Sequence, residues 1–169
     1  MEERPVSKSQ VTLAEVMQPQ HANPAGNIFG GVIMSLIDNA ALICASRHTN
    51  KNCVTASIDR IDFISPVFIG NVVFAKASIN YVATTSMEIG VRVEAECLIT
   101  GNSAHVASAY LTFVALDEDD KPIEIPGLKL ETEEQKRRYK EGKERRENRV
   151  KKIRNNDPHP PCMIRLNNK

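Results

Sequence analysis

Between Gln20 and Arg47 the chain carries one formal charge, the carboxylate of Asp38, with His21 counted as neutral. The stretch around it, GNIFGGVIMSLIDNAALICAS, is otherwise Ile, Leu, Val, Met, Phe, Ala, Cys and small or neutral polar residues. It is too long for one strand, rich in Ala, Leu and Met, and ends in Arg47 and His48, cations suited to a helix C-terminus. A helix over about Phe29–His48 is therefore expected. Apolar residues surround it rather than forming one stripe, so it must be buried, and the rest of the chain must cover it. Ionised carboxylates are seldom buried without a partner, because desolvating one costs several kcal/mol. Asp38 is thus either a helix residue with an ion-pair partner or a water-filled crevice, or a carboxylate kept in an apolar cleft for chemistry.

The covering layer reads as strands. VTLAEVM at 11–17 is a first strand, followed by loop chemistry in PQHANPAGN. Val54, Ala56 and Ile58 alternate with polar residues until the parity slips so that Ile61 and Phe63 continue it, which predicts a bulge. Pro66 and Gly70 turn the chain into a strand over 72–82. The alternation of Met87, Ile89, Val91, Val93, Ala95, Cys97 and Ile99 follows, with Glu88, Arg92, Glu94 and Glu96 on its other face. A final strand over 104–116 is apolar on both faces, as a central strand is. One strand, a long helix and four strands joined by short turns make an antiparallel sheet with the helix against one face, an α+β fold. Residues 131–152 form a second helix of opposite character: Thr132 and Gln135 fit a capping box, and QKRRYKEGKERRENRVKK is polar nearly all round, so it is solvated or docks through a narrow strip. The expected organisation is a domain over 8–126, a polar helical segment over 127–153 on or near it, and a mobile Pro- and Asn-rich tail over 154–169.

The chain has 169 residues, a hydrophobic share of 41% and a formal net charge of +1. That balance offers no overall field for nucleic acid or an anionic membrane. MEERPVSKSQ lacks the apolar core of a signal peptide, and no run reaches the ~20 apolar residues of a membrane span. Cys44, Cys53, Cys97 and Cys162 lack CxxC spacing, which suits reduced thiols and a cytoplasmic location.

The helix start, Asn27-Ile28-Phe29-Gly30-Gly31, is the second candidate feature. Two glycines there admit another molecule close to first-turn N–H groups, donors suited to a phosphate or to a carbonyl oxygen that becomes negative during reaction. Their alternative role is tight helix-on-sheet packing. Asn27 could donate to a substrate carbonyl, or serve as a cap or turn residue. Gly30 and Asp38 are eight residues apart, roughly 12 Å along a helix. One small reacting group cannot touch both, so a site using both needs two copies of the helix, one per subunit.

HANPAGNIFGGVIMSLIDNAA, then VTASIDRIDFISPVFIGNVV, TTSMEIGVRVEAE and PGLKLETEEQKRRYKEGK together resemble the hotdog-fold acyl-CoA thioesterases over roughly residues 8–150. The resemblance implies a five- or six-stranded antiparallel sheet wrapped around one long helix, and dimers built further into hexamers. It implies hydrolysis of acyl-CoA to a free acid and CoA, with Asp38 as general base or nucleophile, Asn27 as its partner across a dimer interface and the Gly30 and Gly31 amides as oxyanion donors. Thr84, Thr85 and Ser86 resemble the segment near the CoA phosphates. No cofactor is implied beyond the coenzyme A carried by the substrate. The alternative within the same fold is a non-catalytic acyl-CoA-binding protein; a hotdog dehydratase and an RNA-associated protein using the basic C-terminal segment are further readings.

Other signals carry less. Asp59 and Asp62 flank Arg60 and are expected to be solvent-facing or locally paired. The four histidines lack metal-ligand spacing, and no GxSxG elbow is present.

Overall fold

The structure, a computed structural model, describes residues 2–156. Its elements are β1 (Glu3–Pro5), β2 (Val11–Val16), α1 (Gly30–Thr49), β3 (Asn52–Phe63), β4 (Asn71–Val82), β5 (Ser86–Cys97), β6 (Ser103–Leu116), β7 (Gly127–Lys129) and α2 (Glu133–Asn156). Five strands form one antiparallel sheet in the order β2-β4-β5-β6-β3. Helix α1 packs against all five. This is the expected α+β arrangement of a sheet around one long helix.

Helix α1 approaches the sheet closely because its inner face is built from Ile33, Ile37, Ala40, Ala41, Cys44 and Ala45, each at most 2% exposed. Large residues meet the sheet at one end and alanines in the middle, opposite Val73, Val93, Ala107, Leu111 and Phe113 of the same core. Fully burying each of the isoleucines contributes roughly 1.5–3 kcal/mol. The helix stops at Asn50, which adopts a left-handed φ of 54° and donates its N–H to Ser46 O at 2.7 Å.

Burial all round was the sequence expectation for α1, and a single protomer departs from it. Met34, Ser35 and Asn39 are exposed and Gly31, Asp38 and Leu42 half-buried. These six recur at i, i+3 and i+4 spacing, so they form one open stripe.

The bulge expected in β3 is present: its register against β6 shifts between Thr55 and Ser57 and again between Ile58 and Arg60. Strand β5 ends at Cys97, short of the alternation read to Ile99. There the chain bends, with Gly101 N–H donating to Cys97 O and Asn102 O accepting from Cys97 N–H, and Ile99 stands 95% exposed in the turn. The segment 127–153 is not helical throughout; it opens with β7, which pairs in parallel with β1. Three-residue strands are too short to show a period. The capping box forms as read, Gln135 N–H donating to Thr132 Oγ1 at 3.2 Å while Gln135 Oε1 accepts from Thr132 N–H at 3.4 Å. Helix α2 runs to Asn156, into the segment expected as tail; from residue 157 that expectation lies outside the described residues.

Candidate active site

The chain enters α1 through a knotted turn. Asn23 accepts with Oδ1 from the N–H groups of Ala25 (2.9 Å) and Asn27 (3.3 Å), and its own N–H donates to Asn27 O at 2.7 Å. With Oδ1 so used, the Asn23 amide Nδ2 is left to donate, with no acceptor among the described residues. Ile28 N–H donates to Val67 O and Phe29 N–H to His21 O, both at 2.8 Å, which fixes the direction of the helix axis. The N–H groups of Gly30 and Gly31 have no acceptor within the helix by its geometry, nor elsewhere among the described residues.

A cleft of about 350 Å³ opens beside this turn, lined by Asn23, Asn27, Gly30, Ile33, Phe63 and Val106 with their neighbours. Gly30 faces the Phe63 ring, 3.5 Å from where a Cβ would stand, so its lack of a side chain keeps the cleft open. Gly31 faces the other side, beside Glu15, His21, Phe29 and Ser35. A Cβ on Gly31 would lie 2.9 Å from Phe29 Cζ, so a side chain there would displace that exposed ring.

Asp38 is half-buried on the open stripe, and Thr55 Oγ1 of β3 donates to its Oδ1 at 2.7 Å. Thr55 is also the last residue of β3 before its register against β6 first shifts. A carboxylate with one neutral donor and no cation keeps lone pairs free to accept a proton or to attack. Beside it the β3 edge exposes Val54 and Ile58, at 41% and 44%.

Within one protomer the structure brings Asn23, Asn27 and Gly30 together but leaves Asp38 outside their cleft. Thr84, Thr85 and Ser86 join neither. They form the β4–β5 turn, closed by Ala83 N–H to Ser86 O and tied to Ile125 N–H through Thr84 O. Asn23 and Thr55 were missed in the sequence, the first because an asparagine before proline reads as a turn residue, the second because nothing local distinguishes it.

Burial pushes the Cys44 thiol up to about 12 and raises that of Cys53, which disfavours the thiolate form at both. Asp62 pairs locally with Arg60, as expected, whereas Asp59 pairs with Arg149 of α2, a long-range partner that the local reading did not anticipate.

An antiparallel sheet around a buried helix, with a donor-lined cleft at the helix start and a carboxylate two turns along, defines a thioesterase of the hotdog type. The thioesterase superfamily profile matches residues 25–98. YkhA of Bacillus subtilis, an uncharacterized acyl-CoA thioester hydrolase, is 40% identical over 79% of this chain and 78% of its own. The cytosolic acyl coenzyme A thioester hydrolase of Rattus norvegicus is 38% identical over 83% of this chain, which spans only 37% of that enzyme. A hexameric acyl-CoA thioesterase superposes with a TM-score of 0.87 at 37% identity, covering 90% of this chain and 98% of that one. An acyl-CoA hydrolase from Staphylococcus aureus, solved with butyryl coenzyme A and coenzyme A, gives 0.83 at 33% identity over 90% and 94%. The chain belongs to the acyl-CoA thioester hydrolases of the thioesterase superfamily.

Proposed function

We propose that the protein hydrolyses acyl-CoA at a site shared between two protomers, with Asp38 of one facing the Asn23–Gly30 cleft of the other. The observation that carries this reading is the placement of Asp38: held by Thr55, two turns along α1 from its own protomer's cleft and outside it, on a stripe left open beside an apolar edge strand. An edge strand with unpaired N–H and C=O groups and exposed Val54 and Ile58 suits pairing with its own copy. Such pairing would cover the open stripe and exclude water from the carboxylate. A hexamer of three such dimers is in keeping with the hexameric relative.

Asparagine, aspartate and threonine were altered singly in the Staphylococcus enzyme, at positions fifteen and seventeen residues apart in order. Asn23, Asp38 and Thr55 have the same two intervals in this chain. The match supports Asn23, in place of Asn27, as the asparagine that acts with Asp38; Asn27 then serves to lock the turn that aims it.

The thioester carbonyl would accept from the Asn23 amide and the Gly30 N–H, donors that strengthen as the oxygen becomes negative. Asp38 deprotonates water, or attacks to give an anhydride that water then opens. Single-turnover hydrolysis in heavy-oxygen water separates these routes, since only attack by Asp38 leaves label in the enzyme. Thr84, Thr85 and Ser86 are placed near the CoA phosphates by the resemblance alone.

The test is thiol release from acyl-CoAs of acetyl to palmitoyl length by wild type and Asp38→Ala. The variant should lose kcat by about two to four orders of magnitude while still binding CoA. Near-normal turnover would remove Asp38 from the mechanism. CoA binding without thiol release by wild type would favour the non-catalytic alternative.

A further inference from the structure

Helix α2 crosses the outer face of the sheet, the face away from α1, and leaves a cleft of about 180 Å³ beneath it. Gly90 of β5 forms its floor, where a Cβ would stand 2.7 Å from Asn80 Nδ2, so this floor must be bare. Lys76 and Arg92 rise from the sheet, and Arg137, Arg138 and Arg145 line the helix side. Five cations and one carboxylate, Glu141, therefore line the space.

Two features set this apart from an ordinary solvated charge pattern. Lys76 and Arg92 stand directly opposite each other in the β4–β5 register. Like charges facing across strands destabilise a sheet. They share one carboxylate, Glu94, whose acidity their hydrogen bonds strengthen. The helix adds no relief, since its carboxylates are already taken by its own arginines: Arg137 pairs with Glu141, Arg138 with Glu134, and Arg145 with Glu88 of the sheet and, at 3.9 Å, with Glu141. Four carboxylates thus face five cations, and the surplus lies on the rung beneath the arginine-bearing helix. Guanidinium forks arranged around a concave space match phosphate oxygens in geometry and charge.

We propose that this cleft binds a phosphate-bearing polyanion, held by the Lys76–Arg92 rung below and Arg138 above. The bound anion neutralises the facing cations and ties α2 to the sheet. It is separate from the acyl cleft, which opens on the other side of the sheet beside α1. The phosphates come either from a free polyphosphate compound or from the nucleotide end of a CoA molecule.

Titration calorimetry of the full oligomeric protein with tripolyphosphate, against sodium sulfate at matched ionic strength, tests this. Saturable binding of tripolyphosphate is expected, with a raised melting temperature, and about tenfold or greater weakening in Arg92→Gln and in Arg138→Gln. The two substitutions lie on different elements, so a folding defect in one leaves the other informative. Measuring KM for an acyl-CoA and for the matching acyl-pantetheine identifies the source. A rise in Arg92→Gln confined to the acyl-CoA assigns the phosphates to CoA; unchanged values for both assign a free polyphosphate. Heats no different from sulfate would mean an adventitious ion only and overturn the site, as would equal affinity in wild type and both variants.

Discussion

Asn23 and Asn27 line the same cleft, yet they are bonded differently, and the proposed site gives them different work. The Oδ1 of Asn23 closes the turn while its Nδ2 is free to donate; Asn27 contributes backbone N–H and C=O to that same turn. Asn23→Ala should lower kcat by about a hundredfold or more, the cost of losing an oxyanion donor, whereas Asn27→Ala should act mainly through KM. Steady-state kinetics on the pair checks this, and equal effects on kcat would contradict the division. Asp38 was legible as a candidate because it is the only formal charge in a long apolar run; Asn23 was not, because an asparagine before proline shows only its turn role in the sequence. His48 is a second buried polar residue whose role appears only in three dimensions. It is 1% exposed, bonds Pro126 O through Nε2 at 2.9 Å, and leaves Nδ1 without a partner among the described residues. Burial lowers its pKa below the ordinary 6.5. The unfolded chain therefore takes up a proton first, so stability is complete above about 6.5 and falls as pH drops through that value toward the folded pKa. Urea denaturation from pH 7.5 to 5.5 should show that loss, and His48→Gln should flatten it.

Helix α2 shows how far a polar pattern can mislead about burial. Its residues read as solvated or docked through a narrow strip, and the strip is what forms: the Tyr139 ring meets Tyr81 at 4.9 Å between centroids, Gly142 lies over Tyr81 and Glu88, and Arg145 binds Glu88 through Nε and Nη2. Gly142 is a poor helix former in the interior of α2. A Cβ there would stand 2.9 Å from Tyr81 Cβ and 3.0 Å from Glu88 Oε1, so the glycine sets how close the helix can come. Glu88 lies on the face of β5 opposite the apolar residues, as its alternation predicts, but is only 2% exposed, because α2 covers that face. Alternation reports which face a side chain takes; it cannot report what later covers that face. Removing Arg145 leaves the Glu88 carboxylate buried with Asn80 Nδ2 as its remaining donor. Arg145→Ala should therefore cost roughly 3 kcal/mol, measured by denaturant unfolding. Adding Glu88→Gln to Arg145→Ala should recover part of the loss, since the uncompensated charge is gone; a further loss would contradict the ion-pair account.

A single protomer of this fold is incomplete in two linked ways. Its central helix keeps an open stripe through Gly31, Met34, Asp38 and Leu42, and its β3 edge keeps Val54 and Ile58 exposed. The sequence showed the first half of this, since a helix apolar all round needs cover all round, and the eight-residue interval already implied two copies. It did not show where the second copy sits, because an edge strand and a central strand share the same alternation until the sheet order is known. The order β2-β4-β5-β6-β3 puts β3 at the rim, beside Asp38. The most direct test of a shared site is complementation. Asn23→Ala and Asp38→Ala chains carrying different tags are co-expressed, and mixed oligomers are purified through both tags. The activity of each variant alone should fall by about a hundredfold or more. If the two residues act across the interface, a mixed dimer holds one site with both changes and one with neither, and purified mixed dimers should recover up to about half of wild-type kcat per protomer. If Asn23 and Asp38 act within one chain, every site in the mixture carries a defect, and activity no higher than that of the separate variants would contradict the account.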